Sequence, residues 1–366
     1  MPDEPDYRPE VGSQSQDDLL DLGRRRSLPR WAIGALWAAV AAVAVGVVVT
    51  GVGSLNGGTK PKLGPTSSGP PIASSLLTGS AGDLAIDGKI LYEFSSGALY
   101  RIDITDPASP VSDGVTAVNG LDGASGDATF HLVLDPAAHH VWVVTYGVAP
   151  ANFVEFDSRT LAELGRLQVP SEVRSAAAYA GHLYLATTTA VLDITSPNRA
   201  PATITSLSGQ YTSIVADPAR SRLLLLGFDN GARVSSYLPA TARSVLGPSA
   251  PFGKGDLLVV GGSIWAAGFG GANAVLARLD PTTLRPIVFS ELSPQLGPGA
   301  IGAAAGTNVL WVRSGAGGDG LWCVDAGTGD QLQYWQYDGA VASAHGAAFV
   351  AQREGPLSLH LAACTG

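Results

Sequence analysis

The sequence predicts an all-β fold, and three observations lead to that prediction. Glycine and proline are abundant, with 46 and 24 of the 366 residues, which favours short strands joined by turns over long helices. Short segments with strand-type alternation recur along the chain. Each segment carries one bulky residue at an equivalent position, and these residues lie 38 to 50 positions apart: Tyr92, Trp142, Tyr184, Leu224, Trp265, Trp311 and Phe349. A strand repeat of about 40–45 residues is typical of propeller blades, so we predict a seven-bladed β-propeller.

The first 52 residues predict a polar tail followed by a membrane span. Residues 1–30 are polar and contain proline, so we expect a disordered tail. Residues 31–52 carry no charge and would form a helix of roughly 33 Å, long enough to cross a bilayer core. Arginines immediately before the span predict a cytoplasmic N-terminus and an extracytoplasmic C-terminal domain. The alternative is a cleaved signal peptide, but the apolar segment is longer than a secretory core, so we expect a single-pass signal anchor in the cell membrane.

Residues 53–71 predict a Gly/Pro/Ser linker, which leaves 72–366 for the propeller.

The net charge of the chain is −9. Acidic and basic side chains balance within residues 1–69, so the whole excess belongs to the propeller. A nucleic-acid partner would require the opposite sign, because phosphate neutralisation dominates that affinity. Arginine far outnumbers lysine, a bias that suggests a bacterial genome of high GC content.

Each predicted blade has four strands, and the third strand of several blades ends at an aspartate. The segments VEFDSRTLAELGRL and LARLDPTTLRPIVF place a threonine three residues after Asp157 and Asp280, and LWCVDAGTGDQLQYW does the same after Asp325. An aspartate in this position accepts hydrogen bonds from turn amides, and the threonine completes the turn. We therefore interpret D-x-x-T as a structural turn and predict no catalytic role for it.

The last blade lacks one strand in the C-terminal sequence. We predict that residues 72–79 (IASSLLTG) supply its outer strand, since a closed ring leaves no exposed edge.

Cys323 and Cys364 are the two cysteines of the chain. An oxidising compartment permits their pairing, and a disulfide closing a loop of about 40 residues would contribute on the order of 3–4 kcal/mol. We expect this disulfide to fasten the last blade to the one before it.

The segment LWCVDAGTGDQLQYW resembles the quinoprotein-like (PQQ-like) propeller repeat, and the weaker blades are similar to the broader group of WD40/YVTN-like bacterial seven-bladed propellers. The resemblance covers about 80–366 and implies the fold. Quinone-dependent dehydrogenases of that group use larger eight-bladed domains with a vicinal disulfide and a calcium site. This chain has no adjacent cysteines and room for seven blades, so the resemblance implies a non-enzymatic scaffold.

Candidate binding residues come from two sets of loops that meet at one end of the predicted channel. The connections entering the inner strands carry one acidic residue in each of five blades: Asp83, Asp127, Glu172, Asp256 and Asp338. The loops between the second and third strands add Asp229, Asn230, Asn273, Arg313 and Arg353. A carboxylate-rimmed funnel could bind Ca²⁺ or a basic partner. The alternative is that these loops are simply the polar surface of an acidic domain.

No catalytic constellation emerges from the sequence. The histidines are dispersed, which does not favour a metal site, and no serine lies in a G-x-S-x-G setting. We predict a non-catalytic recognition scaffold for a cell-envelope protein or ligand, with the connection 112–128 as an adaptable contact and no cofactor unless Ca²⁺ binds. The alternative is a metal-dependent extracytoplasmic hydrolase or lyase that uses the acidic funnel.

Overall fold

The computed structural model divides the chain into two compact units, Met1–Lys62 and Leu63–Gly366. The residues that the structure describes all lie in the second unit: 71–74, 81–107, 110–121, 129–227, 232–250, 253, 255–270, 273–292, 301–305, 309–314, 320–335, 339–344, 347–352 and 358–364. The predicted tail, the span 31–52 and nearly all of the linker lie outside these ranges. Among the described residues no helix is long and apolar enough to cross a membrane.

The described residues form 28 strands in seven four-stranded antiparallel sheets. Sheet 1 contains β2 (Ala81–Asp87), β3 (Ile90–Ser95), β4 (Ala98–Asp103) and β5 (Val111–Ala117). Sheet 2 contains β6 (Thr129–Asp135), β7 (His140–Tyr146), β8 (Ala151–Asp157) and β9 (Glu163–Val169). Sheet 3 contains β10 (Val173–Tyr179), β11 (His182–Thr187), β12 (Ala190–Ile194) and β13 (Ala202–Ser208). Sheet 4 contains β14 (Tyr211–Asp217), β15 (Arg222–Gly227), β16 (Arg233–Leu238) and β17 (Arg243–Ser249).

Sheets 5 to 7 complete the set. Sheet 5 contains β18 (Gly255–Val260), β19 (Ser263–Gly270), β20 (Asn273–Leu279) and β21 (Pro286–Glu291). Sheet 6 contains β22 (Ile301–Ala305), β23 (Val309–Ser314), β24 (Leu321–Asp325) and β25 (Gln331–Trp335). Sheet 7 contains β26 (Gly339–Ala344), β27 (Ala347–Gln352), β28 (Ser358–Ala363) and β1 (Pro71–Ser74). Two short 3₁₀ turns, Pro218–Arg220 and Pro239–Thr241, are the helical segments of the described chain.

The first strands of the sheets contact one another in cyclic order. β2 contacts β6, β6 contacts β10, and so on through β14, β18 and β22 to β26, which contacts β2 again. The first strands therefore surround a central axis, and the remaining strands of each sheet lie progressively further out. This arrangement confirms the prediction of an all-β propeller.

The bulky residues that define the sequence repeat all lie in second strands and are buried. Trp142, Trp265 and Trp311 are among the largest fully buried side chains of the described chain. Each packs into an apolar cluster that includes residues of a neighbouring sheet, as Trp265 does with Leu310 and Trp322 of sheet 6. The repeat is visible in the sequence because every interface between sheets requires a large apolar side chain at this point.

The D-x-x-T turns connect third to fourth strands, as predicted. Asp157 Oδ1 accepts hydrogen bonds from the amide of Thr160 at 2.8 Å and from its hydroxyl at 2.8 Å. Asp280 and Thr283 repeat both contacts, at 2.6 and 2.9 Å. Hydrogen bonds to the ionised carboxylates lower the pKa of Asp157 and Asp280, with the threonine of the same turn contributing most in each case. The prediction that these aspartates are structural turn residues is confirmed.

The closing strand and the disulfide are both confirmed. β1 pairs antiparallel with β28, with Ser74 opposite Ser358, so the N-terminal segment supplies the fourth strand of sheet 7; residues 75–79 of the predicted segment lie outside the described ranges. Cys323 of β24 and Cys364, which follows β28, form a disulfide with a Cα–Cα distance of 6.1 Å. The bond joins sheet 6 to sheet 7, next to the place where the two ends of the domain meet.

The predicted adaptable connection 112–128 requires a correction. Its first part belongs to β5, Val111–Ala117, which pairs with β4 along its whole length. Val118 and Leu121 after it are buried, so the chain is still packed against the core there. Residues 122–128 lie outside the described ranges. The glycine and serine content of the segment concealed an outer strand whose exposed face does not need to be apolar.

Candidate functional site

Half of the predicted site residues lie in the described part of the chain: Asp83, Glu172, Asp256, Asn273 and Arg313. The other predicted residues fall outside it: Asp127, Asp229, Asn230, Asp338 and Arg353. The first strands begin at the same end of the ring as the hairpins between second and third strands, as the pairing of Ala81 with Ser95 shows. We call this the entrance end, and it is where the sequence placed the candidate site.

Asp83 lies near the start of β2 and contacts sheet 2. Its Oδ2 accepts a hydrogen bond from the amide of Leu132 at 2.9 Å and lies 3.4 Å from His131 Nδ1. Burial alone would raise the pKa of Asp83, but the hydrogen bond and charge of His131, the Leu132 amide and the charge of Arg313 together hold it below its usual value. Asp83 is therefore an ionised carboxylate whose partners are the Leu132 amide and the His131 ring. Its side chain is still 16% exposed.

His131 connects Asp83 to an aromatic neighbour. Its ring stacks on Tyr146 with centroids 4.0 Å apart and 23° between the planes, and its Nε2 lies 3.3 Å from Thr129 Oγ1. Burial raises the pKa of the Tyr146 phenol, and the negative charges of Asp83 and Asp256 raise it further. The phenol therefore stays neutral. It hydrogen-bonds the backbone of Ala176 in sheet 3.

Asp256 approaches the same region from sheet 5. Its Oδ1 accepts hydrogen bonds from the Ser213 hydroxyl at 2.5 Å and from the Leu257 amide at 2.9 Å. Burial raises the pKa of Asp256, and the hydrogen bonds together with the charges of Arg313 and His131 only partly offset that effect. Two carboxyl groups at one end of the channel thus differ in environment, with the pKa of Asp83 lowered and that of Asp256 raised.

These side chains form one electrostatic unit, which we call the channel cluster: Asp83, His131, Tyr146, Asp256 and Arg313. They come from sheets 1, 2, 5 and 6. The charges of Arg313 and His131 act on both carboxyl groups. The cluster therefore contains the guanidinium of Arg313, one of the residues that the sequence predicted for this site, beside its carboxyl groups. Among the described residues no group of three or more His, Cys, Asp or Glu side chains is arranged to hold a metal ion.

The entrance end also carries hydrogen bonds from side chains of one sheet to the backbone of the next. Ser175 Oγ accepts from the Ile214 amide at 3.0 Å, and Ser213 Oγ accepts from the Leu257 amide at 3.0 Å. The bond from the Leu132 amide to Asp83 is of the same kind. First strands are edge strands, so some of their amides have no partner within their own sheet. Side chains of the preceding sheet satisfy these amides and fix neighbouring sheets against each other.

Glu172 lies outside the channel cluster, and Asn273 is described by its backbone alone. Glu172 precedes β10, and its Oε1 lies 3.4 Å from Arg174 Nε. Asn273 is the first residue of β20, where its backbone pairs with Gly270. Both residues lie at the entrance end as predicted. Glu172 is engaged with a neighbour in sequence, and nothing in its contacts links it to Asp83 or Asp256.

Sequence reasoning missed His131, Tyr146 and Ser213. A usable signal was present, because Asp83, His131, Ser175 and Ser213 each occupy the third position of a first strand. Aligning the starts of these strands shows a polar residue at a position where the rest of the strand is small and apolar. Tyr146 had no such signal, since its role depends on the channel geometry that places it beside His131.

Two further histidines pair with carboxylates at the opposite end of the ring. His140 Nδ1 lies 2.8 Å from Glu155 Oε1, and His182 Nδ1 lies 2.8 Å from Asp193 Oδ1. Each pair links the second strand of a sheet to its third strand. Burial raises the pKa of Glu155, and the charge of His140 opposes that shift. Both pairs are contacts within one sheet and lie away from the channel cluster.

Comparisons with known proteins support the fold. No protein-family model matches the chain, and no curated protein sequence matches it. Solved structures do match. The β-propeller domain of Cps50 (Swd1) from Myceliophteria thermophila is similar, with a TM-score of 0.58 and 12% identity over 78% of this chain and 98% of that one. The computationally designed Ika8 protein has a TM-score of 0.54 and 12% identity over 80% and 99% of the two chains.

BamB from Moraxella catarrhalis also matches, with a TM-score of 0.48 and 17% identity over 77% of this chain and 85% of that one. At such low identities the likeness concerns the fold alone. The fold of this chain is a β-propeller. What it binds has to be argued from its own residues.

Proposed function

We propose that this chain is a non-catalytic recognition scaffold at the bacterial cell envelope, in which the seven sheets act as the blades of one closed ring. In this proposal residues 31–52 anchor the protein in the cell membrane, the N-terminus is cytoplasmic, and the propeller is extracytoplasmic. The cyclic order of contacts between first strands supports the closed ring. The uncharged segment 31–52 and the arginines before it support the anchor.

One observation carries the choice of a scaffold over an enzyme. The described carboxyl groups of the channel cluster are engaged in contacts that hold sheets together. Asp83 accepts from the Leu132 amide of the next sheet, and Asp256 accepts from the Ser213 hydroxyl of the preceding sheet. Groups used in this way stiffen the strand ends at the entrance end, which lowers the entropic cost of binding a partner.

The entrance end is the proposed binding surface. Asp83 and His131 are 16% and 28% exposed, so a partner can reach them from solvent. Arg313 adds a guanidinium, a group that can form bidentate hydrogen bonds with carboxylates. We expect the partner to be an envelope protein whose contacts include this charged rim.

The test is cross-linking and affinity capture of the full-length protein from its own membranes, with an anchor-only chain as the background control. The wild type should retain a stoichiometric envelope partner. The variant Arg313→Gln should lose it, while Arg278→Gln should keep it, because Arg278 donates to the Gly327 carbonyl in a turn at the opposite end. Absence of a stoichiometric partner, or equal capture by both variants, would contradict the proposal.

A second candidate is an extracytoplasmic hydrolase or lyase that uses a divalent metal. The opposite pKa shifts of Asp83 and Asp256 favour it, since a pair of carboxyl groups separated in this way can act as base and acid. Screening the protein against small esters and lactones, with and without divalent metals, tests this candidate. Turnover that Asp256→Asn abolishes would support it, and turnover that survives the substitution would place the activity elsewhere.

A further inference from the structure

Glu93 is a carboxyl group in an apolar interface. It lies in β3, directly between Leu84 of β2 and Tyr100 of β4 across the sheet. Since side chains alternate along a strand, Glu93 shares its face of the sheet with Leu91, whereas Tyr92 and Phe94 point to the other face and pack against sheet 2. Glu93 therefore faces sheet 7.

The surroundings of Glu93 belong to what we call the closing seam, the interface of sheet 1 with sheet 7. β2 contacts both β26 and β27 there. The described residues of its apolar cluster are Leu84, Ile86, Leu91, Tyr100, Ile102, Ile104, Ala342 and Phe349. Sheet 7 is the sheet that combines the N-terminal strand β1 with the C-terminal strands. The closing seam thus joins the first sheet of the chain to the one that completes the ring.

Glu93 has no solvent exposure and no compensating contact among the described residues. Its exposed fraction is 0%, and neither carboxyl oxygen has a hydrogen-bond partner. Tyr100 is the one titratable group of the described seam cluster, and no charged side chain of β2, β3, β4, β26 or β27 offsets the burial. A carboxylate in such a place lacks both water and a counter-ion, so its charged form is strongly disfavoured.

We propose that Glu93 is a pH-sensitive latch of the closing seam: the neutral acid fits the apolar interface, and its ionisation loosens sheet 7 from sheet 1. The seam is suited to this role because sheet 7 holds both ends of the domain, and its fourth strand is a short segment, Pro71–Ser74. Loosening here would open the ring at its junction of chain ends while the other interfaces between sheets stay packed.

The direction of the pH effect follows from linkage. Burial raises the pKa of Glu93 from 4.5 to about 8. Between these values the folded chain holds a proton that the unfolded chain has released, so stability falls as pH rises. The equilibrium constant for unfolding should increase by up to about tenfold per pH unit in this window. Above about pH 8 the folded state also releases the proton, and this contribution becomes constant.

The experiment compares full-length wild type, Glu93→Gln and Glu93→Leu by denaturant unfolding from pH 5 to pH 9. The free energy of unfolding of the wild type should fall steeply as pH rises. Both variants should lack the part of this fall that is due to Glu93. Glu155→Gln is the matched control and should keep the part of the pH dependence that is due to Glu93. Glu155 is a buried carboxyl of another sheet that does have a partner, His140. If either folded Glu93 variant retains the wild-type slope, the latch is wrong.

A local measurement separates the latch from a general loss of stability. Amide hydrogen exchange at pH 6 and pH 9, corrected for intrinsic rates, should show faster opening of β2, β26 and β27 in the wild type at the higher pH. The amides of β10 and β14, at the interface of sheets 3 and 4, should not change. Uniform acceleration of both interfaces would overturn the proposal that Glu93 acts on the seam.

Discussion

The residue that follows the threonine in each D-x-x-T turn adopts the left-handed backbone conformation. Leu161 and Leu284 each have φ of 57°, and Gly329 has φ of 83°. The same pair of backbone hydrogen bonds closes all three turns, so the geometry is fixed by the turn and not by the residue type. Leucine is tolerated despite the strain because both leucine side chains are buried in the core. At Gly329 an added Cβ would lie too close to the neighbouring sheet.

We predict that Gly329→Ala lowers the free energy of unfolding by about 1–3 kcal/mol, combining left-handed strain with a steric clash. An added Cβ would lie 2.9 Å from Val288 Cγ1 and 3.0 Å from Ser290 Oγ, both in sheet 5. Gly88→Ala is the matched control, because Gly88 has φ of 59° but nothing within 4 Å of its Cβ position. Denaturant unfolding of both variants measures the difference. Equal losses would show that the contact with sheet 5 adds nothing.

At the scale of elements, the ring is completed by one noncovalent and one covalent device. β1 adds a fourth strand to sheet 7, and the disulfide ties the end of the chain to sheet 6. Both act on the sheet that is assembled from distant parts of the sequence. The strand and the disulfide should therefore raise the free energy of unfolding by more than the small number of residues involved would suggest, since each one prevents fraying from a chain end.

The disulfide prediction concerns Cys323→Ala combined with Cys364→Ala. Loss of a cross-link over a 41-residue separation should lower the free energy of unfolding by about 3–4 kcal/mol. Unfolding with and without a reducing agent measures it. Reduction should bring the wild type to the level of the double variant and leave that variant unchanged. A wild type that is insensitive to reduction would show that the bond does not stabilise the fold.

The strand prediction concerns deletion of residues 72–79. Removing the described part of β1, Ile72–Ser74, exposes the edge of β28, so the melting temperature should fall. Deletion of residues 53–60 from the predicted linker is the control of equal length, and it should leave the melting temperature unchanged. Thermal unfolding of both deletion variants tests this. A deletion of 72–79 without effect would mean that β1 contributes little to closure.

At the scale of the whole molecule, the sequence predicted the parts of the fold that repeat. The bulky residue recurs in each second strand because every interface between sheets has the same packing requirement, and the aspartate recurs at the end of several third strands because those strands end in the same kind of turn. The channel cluster was predicted in part: Asp83, Asp256 and Arg313 were candidates from the sequence, whereas His131 and Tyr146 join them only because the ring brings separate sheets together. Glu93 was invisible for a related reason, since one acidic residue in a strand looks solvent-exposed until the facing sheet is known.

The orientation of the whole chain gives the last prediction. Protease added to intact spheroplasts should cut the predicted linker 53–71 and release the propeller, while an epitope tag at residue 1 stays protected. The physical reason is the positive-inside rule, under which arginines immediately before a span, here Arg24, Arg25, Arg26 and Arg30, favour a cytoplasmic N-terminal side.

Replacing all four arginines with glutamine should make the orientation mixed, so that part of the tag becomes accessible. An equal number of arginines replaced within the propeller, at Arg159, Arg199, Arg243 and Arg285, should leave the tag protected, because charges far from the span have little influence on topology. If protease removes the tag from the wild type, or if the wild type leaves the membrane in an alkaline carbonate wash, residues 31–52 do not form the proposed anchor.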